Sequence, residues 1–130
     1  MRITLEIESS ISEIPKVYDW LKEAIEPFVD STLQNRILLV TQEMVTNAII
    51  HGNKESAEKR VKISLATNRN EIVVDIEDEG DGLPPFPTKE EAQDMDYMEE
   101  NGRGIKLAVM LSDQVIRENN RVTLIYYRNT

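Results

Sequence analysis

The order of apolar and polar residues predicts five strands. Ile3, Leu5 and Ile7 alternate with polar residues and form one face of a first strand. The same period of two returns in two later pairs of segments, which turn at Asn68-Arg69-Asn70 and at Asn119-Asn120 and so predict two hairpins. The predicted strands are residues 1–8, 61–65, 72–76, 114–117 and 121–127.

Apolar residues at helical spacing predict three helices. The first begins near Pro15, which suits the first turn of a helix. The second is capped by Ser31 or Thr32, runs to about Ile50 and stops just beyond it. The third starts after Gly102-Arg103-Gly104. These helices and strands do not alternate regularly, which argues against a doubly wound parallel sheet.

We therefore predict an α+β fold. It is a two-layer α/β sandwich in which helices cover one face of a mixed, mostly antiparallel sheet. With 130 residues the chain is long enough for one such domain, residues 1–130, with a single core. An irregular segment, residues 80–101, lies between the central strands and the third helix.

The second predicted helix carries polar residues at its apolar edge. Asn47 and His51 fall inside the apolar stripe, and Glu43 lies on its shoulder, one turn before Asn47. Burying such a group without a partner costs about 1–3 kcal/mol, so each needs a reason to be there. We interpret His51 as a structural core or C-cap histidine, and Glu43 with Asn47 as a functional pair.

A third carboxylate is predicted to face inward. Period two places Asp78 on the same face as the apolar residues of the preceding strand, and Gly80 and Gly82 follow it directly. An inward carboxylate at a strand end can accept hydrogen bonds from an exocyclic amine, and glycine allows a ligand to approach the backbone. An Asp-x-Gly-x-Gly sequence is also common in ordinary turns.

The start of the third helix is a candidate anion site. Gly102 and Gly104 place bare backbone at the positive end of the helix that Ile105 enters, and Arg103 adds a cation. The sequence lacks the Gly-Lys-Ser/Thr ending of a Walker A loop and the spacing of a Rossmann fingerprint.

The composition argues against some classes of function. The net charge is −9, which disfavours direct binding to nucleic acid and requires a polyanionic ligand to be met by a metal ion or by local donors. There is no cysteine, no apolar run of membrane-spanning length and no signal sequence, so we expect a cytoplasmic protein without a membrane segment.

Taken in order, the motifs resemble a known superfamily. Glu43-x-x-x-Asn47-Ala48, Asp78-x-Gly80-x-Gly82 and Gly102-x-Gly104-Ile105 resemble the N, G1 and G2 boxes of the GHKL (Bergerat-fold) ATPases, whose fold is histidine-kinase-like. The runs "EMVTNAIIHGNK" and "NGRGIKLAVMLSDQV" look most like the bacterial anti-sigma-factor serine/threonine kinases.

The resemblance implies roles for individual residues. Glu43 would be the general base, and Asn47 would hold Mg²⁺ on the phosphates of ATP. Asp78 would recognise the adenine amine, with Gly80 and Gly82 near the ring. The phosphates would be held by Gly102, Arg103, Gly104 and Ile105, beneath an ATP lid at approximately residues 83–101.

The resemblance also implies a function. We predict an ATP- and Mg²⁺-dependent serine/threonine kinase that binds a sigma factor and phosphorylates a small anti-sigma-factor antagonist. The first strand and first helix are our prediction for a homodimer interface. Two alternatives are a non-catalytic nucleotide-binding regulatory module and the ATP-binding half of a split histidine kinase.

Overall fold

Five strands form one sheet in this computed structural model, which describes residues 1–82, 86–93 and 100–128, with side chains from residue 104 in the last range. The sheet order is β1-β2-β3-β5-β4, and all four pairings are antiparallel. The strands are β1 (Arg2–Glu8), β2 (Arg60–Thr67), β3 (Glu71–Glu77), β4 (Gln114–Glu118) and β5 (Arg121–Tyr127).

One face of this sheet is apolar and buried. The register places Leu5, Ile63, Ile76 and Val122 side by side across four strands. Ile63, Ile76 and Val122 are buried, and Leu5 is half-buried at the sheet edge. The alternation predicted from the sequence is therefore confirmed, because neighbouring residues in each strand point to opposite faces.

Helices cover the apolar face. The core joins side chains of the sheet to those of the two longest helices, among them Leu21, Ile37 and Val45. This arrangement confirms the predicted α+β class with helices on one side of the sheet. The helices are α1 (Ile14–Ile25), α2 (Ser31–Asn47), α3 (Lys89–Gln93) and α4 (Glu100–Leu111), with short 3₁₀ turns at Ile11–Glu13 and Glu26–Phe28. No helix in the described part of the chain is long and apolar enough to cross a membrane.

Both ends of α2 differ from the prediction. Its N-cap is Asp30, whose Oδ1 accepts the N–H of Leu33 at 2.8 Å, and neither Ser31 nor Thr32. At the other end the α-helix stops at Asn47 and continues as a π-helical turn, Ala48–Gly52. The wider turn changes the direction of the side chains, so His51 is exposed and the prediction that it lies in the buried stripe was wrong.

The second half of the chain contains more helix than predicted. Helix α4 begins at Glu100, so Gly102 and Gly104 lie inside it, whereas we expected the helix to start after them. The predicted irregular segment contains α3, Lys89–Gln93. Residues 83–85 and 94–99 of the predicted lid lie outside the described residues.

A forked contact ties the start of α2 to the end of α4. The Nε and Nη2 atoms of Arg36 donate to the carbonyl oxygen of Leu111 at 3.1 and 2.6 Å. Leu111 is the last residue of α4, where carbonyl groups lack helical partners and the helix dipole favours a cation.

We expect Arg36→Met to lower the free energy of unfolding by about 1–2 kcal/mol, because it removes charge-assisted hydrogen bonds to a helix end. Urea denaturation measures the change. Arg69→Met, which alters an exposed hairpin arginine, is the control and should have little effect. Equal losses in the two variants would contradict this prediction.

Candidate functional site

The side chain of Asp78 is buried at the end of β3. The residue is 4% exposed, which agrees with the inward direction predicted from the strand period. Its backbone is held by the β4–β5 turn, since its N–H donates to the carbonyl of Asn120 at 3.0 Å and its carbonyl accepts Nδ2 of Asn120. Its Oδ1 accepts the N–H of Gly80 at 2.8 Å. The position of this carboxylate is therefore fixed through both its backbone and its side chain.

The π-helical turn at the end of α2 packs directly on Asp78. A Cβ atom built on Gly52 would lie 2.5 Å from the carboxyl carbon of Asp78 and closer still to Oδ2, a separation that real Cβ atoms essentially never show. A Cβ on Gly80 would lie 2.8 Å from the carbonyl carbon of Gly52. Two glycines thus allow the helix end and the strand end to meet without intervening side chains.

A buried asparagine holds this junction together. Asn53 is 1% exposed, and its Oδ1 accepts the N–H of Glu79 at 2.7 Å. Its Nδ2 donates to Oγ of Ser9 at 2.8 Å and to the carbonyl of Arg60 at 3.0 Å. Asn53 therefore links the end of α2, the β1–α1 corner, the start of β2 and the residue after Asp78.

Gly52 and Asn53 were missed by the sequence analysis as site residues. The signal that could have found them is the run Ile50-His51-Gly52-Asn53, where a glycine and an amide follow the polar edge of a helix. We read the glycine there only as a helix stop. Its contact partner, Asp78, lies 26 residues away along the chain and cannot be deduced from local pattern.

Helix α2 presents its predicted pair near α4. Glu43 and Asn47 are both half-buried and one helical turn apart. A Cβ on Gly104 would lie 2.8 Å from Nδ2 of Asn47 and 3.4 Å from Cε of Met44. The nitrogen of the Asn47 amide is therefore the atom of that side chain nearest to Gly104 of α4.

Gly102 lies in α4 near Glu100, where the described part of the helix begins. Backbone N–H groups at a helix N-terminus favour an anion, and the predicted anion site at Gly102 stays a prediction. Gly104, further along α4, contacts Asn47, and Ile105 follows it half-buried; their predicted part in phosphate binding stays a prediction. The side chain of Arg103 lies outside the described side chains, so its predicted phosphate contact stays a prediction.

Gly82 ends the described part of the loop after β3. Its φ is +113°, a conformation that glycine adopts readily, and it lies beside the backbone of Asn119 in the β4–β5 turn. The structure therefore brings Asp78, Gly80 and Gly82 to the end of β3, next to Gly52.

The short helix of the predicted lid has its own cap. The N–H of Glu91 donates to Oγ1 of Thr88 at 3.2 Å, and the N–H of Thr88 donates to Oε1 of Glu91 at 3.0 Å, which is a capping box. These bonds hold the pKa of Glu91 below its usual value. At the other end, the Nζ atom of Lys106 in α4 donates to the carbonyl of Gln93 at 3.2 Å. Ala92 is fully buried, so α3 is docked on α4.

Burial dominates the electrostatics at Asp78. It raises the pKa of this carboxyl group above its ordinary value, while the N–H of Gly80 and the charge of Lys59 offset part of the rise and Glu77 adds to it. A carboxylate whose charged form is disfavoured accepts hydrogen bonds from a donor that enters the site, since such bonds stabilise the charge.

We expect Asp78→Asn to stabilise the ligand-free protein at about pH 7. Below 3.8, the ordinary value, the group is protonated in both the folded and unfolded states. As the pH rises through the raised folded pKa, the wild type must bury a charge and loses stability, whereas the asparagine variant does not. Thermal unfolding from about pH 4 to about pH 8 measures this. A melting difference between variant and wild type that does not grow with pH would count against it.

We expect Lys106→Met to release α3 from α4 locally. Losing one hydrogen bond worth about 1 kcal/mol should accelerate amide exchange in Lys89–Gln93 about fivefold. Hydrogen exchange followed by mass spectrometry measures this, with β3 as the internal reference. Lys89→Met, at an exposed position of α3, is the matched control. If exchange in α3 is unchanged in Lys106→Met, the contact does not hold the helix in place.

Comparison with known proteins shows which family this chain is similar to. The family model described as "Histidine kinase-like ATPase domain" matches residues 7–126. The chain is 33% identical over 99 residues to the anti-sigma F factor of Bacillus subtilis (strain 168), covering 70% of this chain and 62% of that protein. It is 31% identical over 114 residues to the anti-sigma F factor of Geobacillus kaustophilus (strain HTA426), covering 80% of this chain and 73% of that protein.

The matched range includes all the segments that form the candidate site. Residues 7–126 include the polar edge of α2, the end of β3 and the first turn of α4. The chain spans 62% of the length of the Bacillus subtilis relative, so activities of that whole protein are not transferred here. The family model implies a site for ATP. On the length of this match, the chain belongs to the histidine kinase-like ATPase family.

Proposed function

We propose that this protein is an ATP- and Mg²⁺-dependent serine/threonine kinase that acts as an anti-sigma factor and phosphorylates a small anti-sigma-factor antagonist. The observation that carries the proposal is the meeting of three segments at one end of α2. Asp78 touches its terminal turn at Gly52, and Gly104 of α4 touches Asn47. The carboxylate of Asp78, the amide of Asn47 and the N-terminal part of α4 can then contact one nucleotide.

Each group has a chemical role in this proposal. Asp78 accepts a hydrogen bond from the amino group of adenine, and Gly80 and Gly82 leave room for the ring. The first turn of α4, with Gly102 and Arg103, binds phosphate oxygens. Residues 83–101 form the lid over the nucleotide.

The residues at Asn47 suit a magnesium ion. The amide nitrogen of Asn47 lies nearest to Gly104, and its amide oxygen is a ligand of the kind that Mg²⁺ prefers. When bound, Mg²⁺ neutralises charge on the triphosphate. This matters in a protein of net charge −9, whose own field repels a polyanion.

Glu43 would act as the general base. The hydroxyl oxygen of the substrate serine or threonine forms a bond to the γ-phosphorus, and the bond between that phosphorus and the oxygen of the leaving ADP breaks. The hydroxyl proton passes to the carboxylate of Glu43, which lies one turn before Asn47 on the same edge of α2.

The similarity to anti-sigma F factors supports the proposed partners. The protein would hold a sigma factor, and the unphosphorylated antagonist would displace that factor. Phosphorylation of the antagonist would end this displacement and leave the sigma factor sequestered. A homodimer through β1 and α1, a cytoplasmic location and the absence of nucleic-acid binding stay predictions.

We expect Glu43→Gln to bind ATP with nearly unchanged affinity but to transfer phosphate at least about 100-fold more slowly, because it lacks the general base. Asn47→Ala should weaken binding of ATP in the presence of Mg²⁺ more than in the presence of EDTA. The measurement is transfer from γ-labelled ATP to a candidate antagonist of the same genome, together with calorimetric nucleotide binding. Gln42→Ala, an exposed neighbour on α2, is the control.

The outcomes separate the alternatives. Label on a serine or threonine of the antagonist that is lost in Glu43→Gln supports the kinase. Nucleotide binding without transfer favours a regulatory module, and acid-labile phosphohistidine on a partner favours half of a split histidine kinase. If the wild type binds no adenine nucleotide, the proposed function is wrong.

A further inference from the structure

At its contact with Asp78, Gly52 lies against the carboxylate group of the side chain. The three atoms nearest to a Cβ at position 52 are the two carboxylate oxygens and the carboxyl carbon of Asp78. Gly80 differs, because a Cβ there would first meet the carbonyl group of Gly52 and only then, at 3.1 Å, Oδ1 of Asp78. A side chain at position 52 would therefore displace a functional group, whereas a side chain at position 80 would displace main chain.

Hydrogen bonds hold both the backbone and the side chain of Asp78. Its backbone is bonded to Asn120 on both the N–H and the carbonyl, and its Oδ1 holds the N–H of Gly80. The strand end itself is fixed, since the next residue, Glu79, donates to the buried Asn53. A methyl group at position 52 would be accommodated by rotation of the carboxylate, which is the end of a short side chain and the easiest part to shift.

We propose that Gly52 is a positioning residue for base specificity. Its lack of a side chain keeps Oδ2 of Asp78 where it can accept a hydrogen bond from the amino group of a 6-aminopurine nucleotide. A 6-oxopurine, which presents an acceptor at that point, is rejected because two acceptors face each other. This inference rests on the proposed nucleotide site and adds the residue that sets its selectivity.

We expect Gly52→Ala to remain folded and to lose selectivity for ATP over GTP. Its affinity for ATP should fall at least about tenfold, as expected when a hydrogen bond to a charged group is lost. Its affinity for GTP should change little, because GTP does not use that bond. Calorimetric titration with ATP and GTP measures both values, and His51→Ala, at the exposed preceding residue, is the matched control and should retain the wild-type ratio.

Two results would overturn the proposal. One is an unchanged affinity for ATP in Gly52→Ala. The other is an equal loss for ATP and GTP, which would indicate general damage to the site. A wild-type protein that binds no adenine nucleotide would instead refute the proposed function, so the two failures are distinguishable.

A double-mutant cycle covers the case in which Gly52→Ala does not fold. Asp78→Ala removes the three atoms that a methyl group at position 52 would meet. If the Gly52→Ala/Asp78→Ala protein melts close to Asp78→Ala alone, the carboxylate is the group displaced and the proposal stands. If the double variant is also unfolded, the alanine disturbs something else and the proposal fails.

Discussion

The close approach of two pieces of main chain governs the rest of this site. The π-helical turn Ala48–Gly52 meets the end of β3 at Gly52 and Gly80, where neither residue has a side chain. Because the turn lies so close, Asp78 is buried although it lies just beyond the end of β3. The same approach brings Asn53 into the junction, where it satisfies polar groups that burial would otherwise leave without partners. The Asp78 carboxylate is thus held by backbone geometry.

A second close contact, between Gly104 and Asn47, fixes the other side of α2. The end of this helix is therefore held between β3 and α4, and the row formed by Glu43 and Asn47 takes its position from both. Helix α3 is attached differently, through its capping box, one buried alanine and a lysine contact at its C-terminus. Among the described residues α3 packs mainly on α4, so its local stability depends on that contact.

The sequence predicted the sheet well and the ends of the helices poorly, for a physical reason. Strand positions follow from period two, which is a local property, and each predicted strand overlaps an observed one; β1 and β3 also have the predicted face inward. The start of α4 and the π-turn after Asn47 depend on contacts between distant segments, and nothing in the local sequence encodes them. Asp78 and Asn47 stood out as candidates because each is a polar residue on an apolar face, and Glu43 because it lies beside that face one turn before Asn47. Gly52 was not, since its importance lies in what a side chain there would strike.

The electrostatics of Asp78 follow from the same constraint. Burial raises the pKa of its carboxyl group, which means that the folded protein keeps the charged form at a cost when no donor is present. A packed core would normally exclude such a group or pair it with a cation, yet Lys59 and the N–H of Gly80 compensate only part of the burial. A ligand that donates a hydrogen bond to this carboxylate stabilises its charged form and therefore stabilises the fold. The glycine contact that buries Asp78 thus lowers the stability of the ligand-free protein, and in the proposed nucleotide site the same burial serves to discriminate a hydrogen-bond donor from an acceptor.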